Sequence, residues 1–192
     1  MTTILAIAGS LRAKSFNLML LHAAAELAPA GTTVESASIK DIPLYDGDSE
    51  AAQGLPAAVV ALKGRIARAD GVLLVTPEYN NSIPGVFKNA IDWTSRPGAD
   101  IARVYGGKPI GVIGATPGLG GTGLSQAAWL PVLRTLGTLP FFGARVTVSN
   151  AAKVFDEQGK LVDSTVRAQV EKYMTAFAQF VTRQAHQGIE AH

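Results

Sequence analysis

The stretch Ala69-Asp70-Gly71-Val72-Leu73-Leu74-Val75-Thr76-Pro77-Glu78-Tyr79-Asn80-Asn81-Ser82-Ile83-Pro84-Gly85 decides the fold. Val72 to Val75 is a short continuous apolar run, the pattern of a parallel strand buried on both faces. The residues after it are too polar and too rich in proline to continue a strand. From Gly85 to Trp93 the spacing becomes helical, with Val86, Phe87, Ala90 and Trp93 on one side and Pro84 at the entry.

The same alternation extends outward in both directions. Upstream, Ile4 to Ala8 is an apolar run closed by Gly9, and Asn17 to about Leu27 reads as a helix through Leu18, Leu21, Ala25 and Ala28. Thr33 to Ile39 reads as a strand, Pro43 and Gly47 punctuate a loop, and Leu55 to Ala69 is a helix opened by Pro56. Downstream, Ile110 to Ala115 is a strand and Thr122 to Leu136 a helix, which Pro131 is expected to kink or to relieve of its last turns. Ala144 to Val148 is the fifth strand. Lys153 to Leu161 is a surface excursion turning at Gln158-Gly159, and a helix from Ser164 to about Ala185 ends the series.

Five β-α alternations predict an α/β fold, a doubly wound five-stranded parallel sheet covered by helices on both faces. Right-handed crossovers leave two main strand orders, the flavodoxin-like and the Rossmann. No repeat, linker or low-complexity tract interrupts the chain, so residues 1–192 read as a single domain.

Composition narrows the chemistry. The chain has 192 residues, 47% apolar and 17% charged, so a large core is expected. Seventeen Lys and Arg against fifteen Asp and Glu give a net charge of +2, too small and too scattered for a nucleic-acid or membrane surface. With no cysteine there is no disulfide, thiolate metal site or catalytic thiol, and redox chemistry would need a borrowed organic cofactor. No run is long enough to span a membrane, and the N-terminus does not read as a signal peptide; a cytoplasmic protein is the expectation.

Ligands of doubly wound sheets bind beyond the carboxyl ends of the strands, where strand order reverses. In the flavodoxin-like order that point lies between the first and third strands, and the loops after those strands are the unusual ones. Gly9 to Asn17 carries Ser10, Arg12, Lys14 and Ser15 at the start of a helix. Hydroxyls, free N–H groups, a helix dipole and a guanidinium suit a phosphate dianion. The bland alternative is a Ser15 cap with two solvated cations. Thr76 to Gly85 offers Tyr79, Asn80, Asn81 and Ser82 on a path fixed by two prolines, a setting for a planar heterocycle or simply a rigid turn.

A third loop, Gly114 to Gly123, contains Gly118-x-Gly120-x-x-Gly123, but it follows the wrong strand for a dinucleotide fingerprint and lacks the acidic partner. It reads as a flexible rim. His22, His186 and His192 share no metal-ligand spacing, so no metal site and no Ser–His–Asp constellation is assigned. Trp93 reads equally as core or partner interface. Tyr45-Asp46 reads as a solvated turn in preference to a rim or interface.

The segments GSLRAKSFN (9–17), IPLYDGD (42–48), ADGVLLVTPEYNNSIPGVFKNAIDWTSRP (69–97) and FDEQGKLVD (155–163) together resemble the NADPH-dependent FMN reductase family. The branch is that of bacterial azo-, quinone and chromate reductases. The resemblance implies a flavodoxin-like strand order 2-1-3-4-5, FMN as prosthetic group, NADPH or NADH as co-substrate, and a homodimer or homotetramer with flavin sites near subunit contacts. Carried over by position, Ser10, Arg12, Ser15, Phe16 and Asn17 hold the phosphate and ribityl chain. Pro77, Glu78, Tyr79 and Asn80 line the isoalloxazine, with Ala115 and Thr116 at its other edge. Two departures stand out: Leu124 and Ser125 where members often carry an arginine, and Pro131 where they continue the helix without proline.

The implied reaction is a ping-pong hydride transfer from NAD(P)H through the flavin to a small acceptor: a quinone, azo compound, free flavin or oxidised metal ion. It obliges no side-chain acid or base, so no catalytic residue is assigned. An electron carrier like flavodoxin fits less well, since such carriers are usually strongly acidic and use a Thr-rich loop where Arg12 stands here. A phosphate-binding module without redox activity is the third reading.

Overall fold

In the computed structural model, which describes the backbone of residues 1–190 and the side chains of residues 1–185, the chain opens with β1 (Thr2–Ala8) and α1 (Phe16–Glu26). It continues with β2 (Thr32–Ala37), α2 (Gly47–Gln53), α3 (Ala57–Arg68), β3 (Gly71–Val75), α4 (Gly85–Thr94) and α5 (Ile101–Tyr105). Then come β4 (Pro109–Ala115), α6 (Gly123–Thr135), β5 (Leu139–Pro140), β6 (Thr147–Val148), α7 (Ala151–Val154) and α8 (Ser164–Glu190).

The sheet is parallel with order β2-β1-β3-β4-β5, and β6 also pairs with β4. This is the flavodoxin-like order. Alternation along the central strands explains their apolar continuity. Ile4, Ala6 and Ala8 of β1, with Leu73 and Val75 of β3, enter a core shared with α1 and α8. Leu5, Ile7, Val72 and Leu74 enter the opposite core, shared with α3, α4 and α6. Each Val, Leu or Ile among them contributes about 1.5–3 kcal/mol on full burial, so both helical layers are held by the same strands.

The fifth strand departs from expectation. Its position is filled by two short pieces, β5 and β6, pairing with opposite ends of β4, and the Phe141–Arg145 segment between them carries no strand. Phe141 explains part of the break, because its ring turns into a cluster with Tyr173, Phe177 and Phe180 of α8. The loop expected around Pro43 and Gly47 contains α2, none of whose residues is buried, so it carries no apolar period. Asp46 caps it by accepting from the Asp48 N–H at 2.9 Å. Pro131 does not split α6, which runs unbroken through it. Both Pro131 and Ala127, the residue whose carbonyl loses its partner, are exposed, so water can satisfy that carbonyl.

Register brings the ends of β1 and β3 level: Ala8 lies opposite Val75, and the Gly9 N–H donates to the Val75 carbonyl at 2.9 Å. The loops after both strands therefore leave the sheet side by side, with the end of β4 next to them.

Candidate functional site

The first loop ends in a helix N-terminus left open. Ser15 caps α1, its Oγ accepting from the Asn17 N–H at 3.2 Å, and its hydroxyl proton remains available. No acidic residue stands in the first turn of α1. Ser10 Oγ accepts from the Arg12 N–H at 3.3 Å. Arg12 and Lys14 are exposed, and among the described residues neither forms an ion pair. The N–H groups of Ser10, Leu11, Ala13 and Phe16 likewise have no acceptor among the described residues. Gly9 is required here, because a Cβ would lie 2.1 Å from the ring of Phe87.

Two of the expected first-loop residues face elsewhere. The Phe16 ring stacks on Phe155, ring centres 6.2 Å apart, so its side chain belongs to the packing beneath the loop. Asn17 is buried, and its amide clasps the end of β4: Nδ2 donates to the Ala115 carbonyl at 2.8 Å, and Oδ1 accepts from the Ala115 N–H at 2.9 Å. That clasp joins the first loop to the fourth strand.

The loop after β3 is fastened down. Thr76, fully buried, bonds through its hydroxyl to the Pro77 carbonyl, to Ser125 and to Trp129. Glu78 Oε2 accepts from the N–H groups of Leu124 and Ser125, both at 2.9 Å, so its carboxylate caps α6, whose own N-cap Thr122 makes no capping bond and accepts instead from the Gln126 side-chain amide at 3.1 Å. Tyr79 and Ser82 exchange backbone bonds across Asn80 and Asn81, whose φ values of 51° and 61° form a tight turn that asparagine tolerates well. Tyr79 is 47% exposed at the rim. Asn80 shapes the turn, and Pro77 is buried at its base.

At the end of β4, Ala115 is buried and Thr116 half-buried. The Thr116 N–H donates to the Val148 carbonyl at 2.9 Å, and its hydroxyl accepts from Gly118 at 3.3 Å. Gly114 admits no side chain, since a Cβ would meet the Thr76 carbonyl at 2.1 Å. The expected positions therefore lie at neighbouring strand ends: on the loops that leave them, in the first turn of α1 (Phe16, Asn17) and at the last residue of β4 (Ala115). Sequence reasoning missed Thr76, Ser125 and Trp129, whose only signal was the helical i, i+4 spacing of the last two.

The remaining candidates resolve elsewhere. His22 is exposed on α1, while the His186 side chain and His192 lie outside the described residues. Trp93 is core, its Nε1 donating to the Pro43 carbonyl at 2.9 Å. Tyr45 packs edge-on against Trp93, ring centres 4.9 Å apart, and Asp46 is a helix cap; neither is a free turn. Among the described residues no group of His, Cys, Asp and Glu could hold a metal, and no helix is long and apolar enough to cross a membrane. A cavity of about 630 Å³ opens at the amino ends of β1 and β2, beside Met1, Gly31 and Arg183. It lies at the end of the sheet opposite to where ligands of this architecture bind.

Comparison with known proteins places this geometry. The chain is 40% identical over 180 residues to an NAD(P)H-dependent FMN reductase of Pseudomonas aeruginosa, covering 94% of this chain and 95% of that one. It is 38% identical over 175 residues to a 2-hydroxy-1,4-benzoquinone reductase of Burkholderia sp., covering 91% and 93%. Its fold superposes on FerB, a flavoenzyme NAD(P)H:(acceptor) oxidoreductase from Paracoccus denitrificans, with a TM-score of 0.85 and 33% identity over 96% of this chain and 99% of that one. Residues 2–153 match the pattern of one family throughout, and the chain belongs to the NADPH-dependent FMN reductases, in their bacterial quinone and azo reductase branch.

Proposed function

We propose that the crevice over the ends of β1, β3 and β4 holds FMN, and that the chain oxidises NAD(P)H through it to reduce small acceptors, quinones foremost. The observation that carries this reading is the first loop: hydroxyls, with N–H groups and two cations that have no partner among the described residues, surround the N-terminus of an 11-residue helix with no acid in its first turn. That donor set fits a phosphate dianion. Gly9 and Gly114 let Phe87, Thr76 and Thr122 pack directly against the strand ends that floor the crevice, where any Cβ would clash.

FMN held there would supply the redox chemistry that a ping-pong hydride transfer from NAD(P)H to the acceptor needs. The protein's part is binding and orientation. Ser10, Arg12 and Ser15 hold the phosphate with the N–H groups of Phe16 and its neighbours. Asn17 acts through its clasp on Ala115. Pro77, Glu78, Tyr79 and Asn80 line the ring on one side, Glu78 with its backbone because its carboxylate is engaged by α6. Ala115 and Thr116 stand at the other edge. No side chain of the crevice is required to move a proton.

Subunit contacts form the second part of the proposal, a homodimer or homotetramer of single-domain chains acting in the cytoplasm, where NAD(P)H is found. Support comes from exposed apolar side chains on the outer face of α6 and the neighbouring edge: Leu124, Leu130, Leu139 and Phe142, the last 74% exposed. The test is direct. Purified protein should be yellow with bound FMN, and should oxidise NADPH or NADH steadily when 1,4-benzoquinone is added. A colourless protein that takes up no added FMN overturns the reading.

A further inference from the structure

The hydroxyl of Thr76 has one proton and three polar neighbours. The Pro77 carbonyl, an acceptor only, lies 2.9 Å away. Trp129 Nε1, a donor only, lies 3.2 Å away, and Ser125 Oγ 2.9 Å away. A hydroxyl donates once and accepts twice, so a single arrangement satisfies all three contacts. Thr76 gives its proton to the Pro77 carbonyl, and the indole and Ser125 donate to Thr76.

All three side chains are completely buried, so each of these bonds forms without competition from water. The relay is also held from behind. The Trp129 ring meets Phe87 edge-on, centres 5.0 Å apart, and Phe87 in turn fills the space over Gly9. On the far side of the same peptide, the Glu78 carboxylate is held by the N–H groups of Leu124 and Ser125.

The consequence falls on the Pro77–Glu78 peptide. Its carbonyl is drawn inward to Thr76. A trans peptide is planar, with C=O and N–H on opposite sides, and the only cis bond in the described chain is Arg96–Pro97. The Glu78 N–H is therefore turned away from the core, and it has no acceptor among the described residues. A backbone donor held in one direction at the wall of the crevice is a device for reading an acceptor edge.

We propose that Trp129, Ser125 and Thr76 form a positioning relay that presents the Glu78 N–H to the polar edge of the flavin ring. This rests on the FMN reading given above. The three residues act through the peptide and touch neither cofactor nor substrate, so they are positioning residues. Two of them come from α6, 49 and 53 positions beyond Thr76, which makes the ring environment depend on a helix outside the three crevice loops.

The experiment uses full-length Thr76→Val, Thr76→Ser, Trp129→Phe and Ser125→Ala proteins, titrated with FMN by fluorescence and examined for flavin absorption and midpoint potential. Thr76→Val, which keeps the shape and removes the relay oxygen, is expected to weaken FMN about tenfold, as loss of one hydrogen bond does. It should also shift the visible band and make the potential more negative. Trp129→Phe and Ser125→Ala should move all three readouts the same way by less, and Thr76→Ser should restore them. If Thr76→Val does not fold, Trp129→Phe carries the same test. A lowered melting temperature with affinity, band and potential untouched overturns the relay and leaves the FMN reading standing. Wild-type protein that takes up no FMN overturns both.

Discussion

The loops after β1 and β3 flank the same reversal of strand order and are built in opposite ways. In the first, the charges and most backbone donors stay unengaged: among the described residues Arg12 and Lys14 have no counter-charge, and a row of N–H groups has no acceptor. In the second, Thr76 and Glu78 are tied to α6, and Tyr79 to Ser82 across a tight turn. A doubly charged tail can be held by donors that adjust to it, because the Coulomb attraction is broad. A ring must find its surroundings already in place, because flat contact and in-plane bonds are directional. The contrast separates affinity from geometry between two neighbouring segments.

The largest expected effect comes from breaking the joint between them. Asn17→Ala leaves the buried N–H and C=O of Ala115 without partners. At about 1–3 kcal/mol for each such group, we expect a stability loss on the order of 3 kcal/mol by urea unfolding, with loss of FMN. A stability within about 0.5 kcal/mol of wild type would show that the clasp is dispensable. Next, Arg12→Ala should weaken FMN by roughly 10- to 100-fold, the range of a hydrogen bond to a charged group, while the melting temperature of the apoprotein stays put. Unchanged affinity would remove Arg12 from the phosphate.

Glu78→Ala should behave in the converse manner. Loss of the α6 cap costs about 1 kcal/mol of stability, and FMN affinity should fall less than in Arg12→Ala. An affinity loss with no stability change would mean that the carboxylate meets the ligand and not the helix. The smallest effect is expected of Tyr79→Ala: the ring is loosened and turnover with quinone changes, while folding is preserved because the side chain lies half outside the surface. Identical kinetics would take Tyr79 away from the flavin.

The strands most legible in the sequence are those with both faces buried, although β2, with a single buried residue, was also read from Thr33 to Ile39. Ile4–Ala8, Val72–Val75 and Ile110–Ala115 announce themselves because every position is apolar, whichever way it points. The fifth position was less legible, since a broken strand with an inward ring at Phe141 has the composition of a strand but not its pairing. The helix α2 lay beyond periodicity altogether, as it buries nothing; Asp46 ahead of an acidic first turn was its sole signal.

For the crevice, the sequence showed which loops are rich in polar groups. It could not show where those groups point. Asn17 and Glu78 have the chemistry of ligands and are engaged by backbone far away in sequence, 98 residues for Asn17 and 46 to 47 for Glu78. Orientation of that kind depends on tertiary neighbours, and the bonds of Ser125 and Trp129 to Thr76 were hidden for the same reason.

The interrupted strand beside β4 has a consequence for the life of the molecule in a crowded solution. A long, flat border of unpaired backbone invites other chains to add on and build fibres. Here that border is cut into two-residue pieces, with Pro140 in one, Arg145 just ahead of the other, and the Tyr173 hydroxyl reaching the Val112 carbonyl at 3.4 Å between them. The break that obscures the fifth strand to inspection also denies an incoming strand a continuous template, and so guards this border against fibre growth.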